Sequence, residues 1–283
     1  MPAPDGRATN PVHLVLLPAR EGETDTRRIE ALLAIEPYEA GLLLRARVPR
    51  IVRSLGDASA AEEMQERARL MGLRTFLVDD HSLDTHPPSL LVERAATEGE
   101  ALVLAGEFGS FRAATGAAEL VVAARVPVVR RRTSSRISML ASVPGSTPGM
   151  PRLVKEVRET TDHFGVLDLY PAGGDRCLRV REESTDFRGL GTGSPASALL
   201  RFRRLLDLIR TACADAPFDQ GFARSGAEAA DSGRFAPEGA VVKIVDGVSR
   251  FGRYSRLHWW ARRAAAGAAP RSTGSVPPGH GGA

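Results

Sequence analysis

The sequence predicts an α+β protein: a small strand-helix-helix-strand-helix-strand (βααβαβ) module, followed by an antiparallel β-rich domain capped by an amphipathic helix. Three observations carry this. Short apolar runs at 12–17, 51–55 and 73–78 alternate with stretches of helical apolar spacing. From Ala101 to Arg181 the apolar or alternating runs are separated by Gly, Pro and Ser clusters, as strands are. Leu199, Phe202, Leu206, Ile209 and Cys213 then fall on one helical face.

In the first module, Val12 to Leu17 ends at Pro18 and reads as a buried strand. Thr24, Asp25 and Thr26 offer caps to a helix with a stripe of Ile29, Leu32 and Leu33. Pro37 suits the first turn of a second helix, with Tyr38, Leu42 and Leu43 at helical spacing. Ile51 to Leu55 is a second strand. Ser59 and Glu62 have the spacing of a capping box for a third helix, whose buried face is Met64, Ala68 and Met71 and whose stop is Gly72. Leu73 to Val78 closes the unit, which spans 11–80.

Residues 81–99, with Pro87-Pro88, read as a linker, and a second domain covers 100–220. In it Ala101–Ala105, Leu120–Val129, Leu153–Arg158, Val166–Tyr170 and Arg176–Arg181 are strand candidates, with Pro171-Ala-Gly-Gly-Asp175 as a hairpin loop. Ser194-Pro195 caps the amphipathic helix. Residues 221–240 read as a flexible loop, 241–264 as a strand and a basic aromatic helix, and 265–283 as a disordered tail.

Glu36-Pro37-Tyr38-Glu39-Ala40, Val48-Pro49-Arg50-Ile51-Val52, Ala61-Glu62-Glu63 and Met71-Gly72-Leu73 together resemble the C-terminal domain of the ribosomal stalk protein, a fold shared with the Clp-protease adaptor. The resemblance covers about a quarter of the chain and lies at helix-strand junctions, so it implies a fold rather than a site. The stalk domain recruits translation factors through a lysine-rich helical surface. The matching segment, Pro37 to Val48, has no lysine and only Arg45 and Arg47, so factor binding does not carry over. Residues 100–220, strands closed by one amphipathic helix, resemble bacterial PH-like domains.

Composition sets the outer limits. At 283 residues, 43% apolar and 25% charged, the chain can bury a core of about two domains. No run approaches the length of apolar sequence that spans a membrane, and Met1 to Pro11 lacks the layout of a signal peptide, so a cytoplasmic location is expected. Cys177 and Cys213 have no metal-ligand or disulfide-framework spacing and read as buried thiols. His81 and His86 are the one histidine pair at ligand-like spacing, and they read as surface histidines, so no metal and no cofactor are expected. The basic excess is local, at Arg130, Arg131, Arg132 and Arg136 and again after Gly221.

Four stretches hold candidate chemistry. Gly189-Leu-Gly191-Thr-Gly193 runs into Ser194, and glycine amides at a helix start could bind an anion. No apolar strand leads directly into it and no lysine follows, so a plain strand-to-helix turn is the simpler reading. Asp162-His163 with Asp168 offers a base and an orienting carboxylate, and the nucleophile it would need has to come from Cys177 or from a serine whose position the sequence does not give. Arg130, Arg131, Arg132 and Arg136 could grip phosphates or acidic protein, or form a solvated loop between strands. In 250–263, Arg250, Arg253 and Arg256 accompany Trp259 and Trp260. That pattern suits a membrane or nucleic-acid surface, but it suits still better a helix docked on the preceding domain.

The function expected is therefore a non-catalytic cytoplasmic adaptor that recognises another protein. One alternative is a nucleotide or phosphate binder, or an enzyme, using Gly189 to Ser194. Another is attachment to membrane or nucleic acid through 250–263.

Overall fold

A run with no polar face must be covered on both sides, and Val12–Leu16 is the middle strand, β1, of a three-stranded sheet. The computed structural model describes residues 10–19, 26–45, 48–138, 152–191, 197–224 and 247–267, with the backbone alone over 128–138 and 152–160. Helices α1 (Thr26–Leu33) and α2 (Pro37–Arg45) follow β1, then strand β2 (Arg50–Leu55), helix α3 (Ala58–Leu70) and strand β3 (Thr75–Asp79). β2 and β3 flank β1, both antiparallel to it. Two details differ from the sequence reading. Helix α3 is capped by the Asp57 carboxylate, which accepts from the amides of Ser59 and Ala60 at 3.1 and 3.4 Å, so Ser59 lies inside the first turn. Helix α2 buries the small Ala40 and turns Tyr38 and Leu42 outward, 73% and 45% exposed.

The stretch expected as a linker is structured. It holds α4 (Asp80–Thr85), β4 (Ser89–Leu91) and β5 (Arg94–Glu98). Its strands are short; β4 is placed by pairing with the distant β10, and β5 pairs with β6 beside it and with the distant β11. After them come β6 (Ala101–Gly106), β7 (Gly109–Ala113), β8 (Ala118–Ser138), β9 (Arg152–Pro171), β10 (Cys177–Arg181) and β11 (Asp186–Gly189). The described chain ends with α5 (Ala198–Ala212), β12 (Phe218–Asp219), a 3-10 turn at Phe222–Arg224 and α6 (Gly247–Ala265). Leu153–Arg158 and Val166–Tyr170, separate runs in the sequence, belong to the single strand β9. Pro171 to Asp175 does turn β9 into the antiparallel β10. The strand expected near Val241 and most of the tail lie outside the described residues.

The architecture is α+β, with mixed rather than purely antiparallel sheets. A five-stranded sheet runs β12-β8-β9-β10-β4 and a four-stranded sheet runs β11-β5-β6-β7. The pairings β10 with β4, β11 with β5 and β12 with β8 are parallel. One face of the five-stranded sheet, with Val121, Leu167, Leu169, Leu178 and Val180, packs with Leu102 and Leu104 of β6 and with Phe202, Leu205 and Ile209 of α5. The opposite face, with Val126, Phe164, Val166 and Tyr170, packs on α6. On its far side α6 meets Val15, Phe76 and Val78 of the first sheet. Helix α6 is thus the filling between two sheets.

Helix α5 crosses β9 at Gly165. A Cβ built there would fall within the Phe202 ring, so only glycine admits this approach. Alanine ordinarily strengthens a strand relative to glycine. Here we predict the opposite sign for Gly165→Ala: a loss of about 1–3 kcal/mol from overpacking, read as a lower urea midpoint at unchanged m-value. An unchanged or raised midpoint would contradict the packing.

Candidate functional site

The residues of α6 that suggested an attachment surface point inward. Trp259 is 1% and Trp260 8% exposed, and they pack edge to face with ring centroids 4.7 Å apart. Arg256 is buried, donating to the carbonyls of Leu83 and Pro87 at 3.3 and 3.1 Å and to Ser89 Oγ at 3.3 Å. Arg253 bridges Asp80 and Asp84 at 2.5 and 2.6 Å, and His13 joins Asp80 at 2.9 Å to Ser54 at 2.8 Å. The surface assignment for Arg253, Arg256, Trp259 and Trp260 is therefore corrected. These groups tie α6 to α4 and to the first sheet, because a guanidinium can be buried where carbonyls and carboxylates satisfy its N–H groups. Arg250, one turn earlier, is half-buried.

Beneath α6 lies a second polar cluster. Arg179 of β10 donates twice to the Asp168 carboxylate, both bonds 2.7 Å, with side chains 8% and 0% exposed. Tyr170 Oη and Ser255 Oγ are 2.7 Å apart. A Cβ at Gly252 would stand 3.1 Å from Arg179 Nη2, so this glycine lets α6 lie directly on the arginine. Burial, with the Asp168 carboxylate nearby, pushes the Cys177 thiol well above its ordinary range. That burial disfavours the thiolate a nucleophilic cysteine requires. The catalytic set weighed from the sequence is not assembled: Asp162 and His163 are exposed, and the Asp168 carboxylate is committed to Arg179.

The glycine-rich turn also differs from expectation. Gly189 belongs to β11, where a Cβ would collide with Ala96, and its carbonyl accepts from Thr97 Oγ1 at 3.2 Å. Gly191 has a positive φ of 69° with open space around it. The cap of α5 is Ser197, whose Oγ accepts from the Leu200 amide at 3.4 Å, rather than Ser194. Gly193 and Ser194 lie outside the described residues. Arg130, Arg131, Arg132 and Arg136 are not in a loop: their backbone runs within β8.

A groove of about 440 Å³ lies between α5 and β8, which sequence reasoning did not find. Leu199, Phe202 and Leu206 supply its apolar wall, Ala123 and Ala124 its floor, and Arg125, Arg203 and Arg210 its rim. Arg125 donates to the His163 carbonyl, and Arg210 donates to Gln220 Oε1 at 2.8 Å and stacks on Phe218 at 4.4 Å. The floor is also a sheet edge. The Val121 amide points out of β8 to the Pro217 carbonyl and the Asp219–Val122 pairing carries the parallel ladder as far as the Ala123 amide, so Arg125, at the same parity, faces the same edge after β12 has ended. Pro127, which has no amide to offer, follows at that parity. A small second surface is the exposed Tyr38 and Leu42 pair on α2.

Among the described residues, no group of three His, Cys, Asp or Glu side chains is placed to hold a metal, and no helix is long and apolar enough to cross a membrane.

The Arg253 hydrogen bond, with His13 behind it, holds the Asp80 carboxyl below its ordinary value of 3.8. The unfolded chain therefore takes up this proton first as pH falls. The stabilisation is complete above that ordinary value and is lost as pH drops through the lower folded one. We predict that Asp80→Asn costs about 1 kcal/mol at pH 7, discounted for the partly exposed partners, and that the gap to wild type closes below about pH 4. A gap that persists in acid would show that the carboxylate charge is not what the latch uses.

Comparison of the chain with protein-family models, with curated proteins and with solved structures finds no match, so geometry and chemistry carry the functional reading.

Proposed function

We propose that the protein is a non-catalytic cytoplasmic interaction or adaptor protein that takes an extended, acidic segment of another protein into the α5–β8 groove. The observation that carries this is the coincidence of an apolar wall, an arginine rim and a sheet edge at one place. Backbone groups at Arg125, just past the end of β12, suit main-chain pairing with an added strand, which gives affinity without demanding a sequence. Leu199, Phe202 and Leu206 suit alternate apolar residues of that strand, and Arg203, exposed on the rim, suits a carboxylate beside them.

Two further facts support a binding role. Several ionisable groups hold elements together: buried Asp168 on Arg179, and Asp80, with the exposed Asp84, on Arg253. The two cysteines are buried and free, which fits a reducing compartment. The first module would then be of the stalk and Clp-adaptor kind, with exposed Tyr38 and Leu42 as a second contact.

The test is fluorescence anisotropy of a labelled peptide of alternating leucine and glutamate, titrated with the full chain. We predict saturable binding that weakens by about tenfold or more in the Leu199→Asp, Arg203→Glu double variant. Tyr38→Ser with Leu42→Ser should leave it intact. Loss of binding in the α2 variant alone, or no saturable binding at all, would overturn the groove assignment.

A further inference from the structure

The β8–β9 pair continues past the body of the protein. Its register is unbroken from Leu120 opposite Tyr170 to Ser138 opposite Arg152. β12 pairs with β8 only at Val121 and Val122, and β10 pairs with β9 only from Val166 to Leu169. Beyond Pro127 and His163, therefore, the two strands have only each other among the described residues. Eleven register positions, from Val128 opposite Asp162 outward, form a two-stranded ribbon roughly 35 Å long at about 3.3 Å per residue.

The period of two divides the charge unequally. Residues at the parity of Val126 and Phe164, the α6 side of the sheet, are Arg130, Arg132 and Arg136 on β8 and Arg152 and Arg158 on β9. Glu156 and Asp162 are the acidic residues of that face. The other face carries Arg131 and Lys155 with Glu159, and Ile137, Leu153 and Val157 besides. Along β8 the row Arg130, Arg132, Ser134, Arg136 places three arginines within about 20 Å. Arg132 stands directly opposite Arg158.

We propose that this cationic face of the distal β8–β9 ribbon binds the phosphate backbone of duplex nucleic acid. A two-stranded ribbon has the width that the major groove of a duplex admits. Arginine and hydroxyl donors, here with Ser134, Ser138 and Thr160 at the same parity, are the groups that contact phosphate. The ribbon has no aromatic residue on which single-stranded bases could stack, and no Asn or Gln to read an adenine edge, so the binding is duplex-directed and largely indifferent to sequence. A protein partner or a lipid surface calls for apolar or aromatic anchors, and the cationic face offers only Val128 and Val154. The site is separate from the α5–β8 groove and stands or falls independently of it.

The experiment titrates the full chain into a labelled mixed-sequence DNA duplex of about 24 base pairs over a salt series, with phosphatidylserine vesicles and polyglutamate as the competing surfaces. Five phosphate contacts predict a log–log salt slope of about −4 to −5. The Arg130→Gln, Arg132→Gln, Arg158→Gln variant should bind at least about tenfold more weakly, with the slope reduced by about 3. Arg131→Gln with Lys155→Gln should weaken binding by less than about threefold, which separates a cationic face from total charge. Both variants change only ribbon residues, and equal far-ultraviolet circular dichroism and Tm confirm that the body is intact. The proposal is overturned by absence of duplex binding at about 50 mM salt, by equal losses in the two variants, or by tighter binding to vesicles or polyglutamate than to the duplex.

Discussion

Everything in this fold hangs on the burial of α6. One helix supplies the shared core of the three-stranded and five-stranded sheets, and it does so with a sequence that carries an arginine on nearly every turn. Two kinds of position resolve the conflict. Phe251, Tyr254, Leu257, Trp259 and Trp260 fill the apolar space between the sheets. Arg253 and Arg256 are accepted because α4 and the β4 approach present Asp80, Asp84, Leu83 O, Pro87 O and Ser89 Oγ to them. Gly252 and Ser255, both small, bring the helix down onto Arg179 and Tyr170. Specificity in this interface comes from polar groups that find their partners only when α6 sits in one register, while the tryptophans supply most of the apolar area.

The division of labour that follows explains where function can reside. A buried pair such as Asp168 and Arg179 is expensive to desolvate and strongly destabilising to break, so it is held for structure and withdrawn from chemistry. The ionisable residues that the two proposals use lie instead at the periphery, on the rim of the α5–β8 groove and in the sequence of the ribbon that leaves the five-stranded sheet.

Much of the first module was legible because its signals are local. An apolar run, a proline in a first turn and Gly72 at a positive φ each act within a few residues. The register of α2 was not, since Tyr38 and Leu42 have the right spacing but Ala40 has the right size for close approach to α1. β4 was illegible as a strand because it is three residues long and defined by β10, roughly ninety residues away, while β5, which forms a hairpin with β6, was read as part of a linker beside Pro87-Pro88. The inward arginines were misread for a related reason: arginine on a helix reads as outward until the carboxylates and carbonyls that receive it are known. The α5–β8 groove combines three separate segments, and no local pattern announces it. The Gly189 to Gly193 stretch shows the converse failure, a motif whose first glycine is needed for contact with Ala96 rather than for a ligand.

The position of α6 in the chain has its own consequence. During synthesis it leaves the ribosome after every strand that it covers, so Val15, Phe76 and Val78 on one side and Val126, Phe164 and Val166 on the other wait bare until it arrives. Nascent chains with two unmatched greasy faces are the substrates that chaperones bind and that stick to one another when crowded. The yield of this protein in a cell should accordingly be limited by how fast translation delivers a single helix, and truncations that remove it should accumulate in the insoluble fraction.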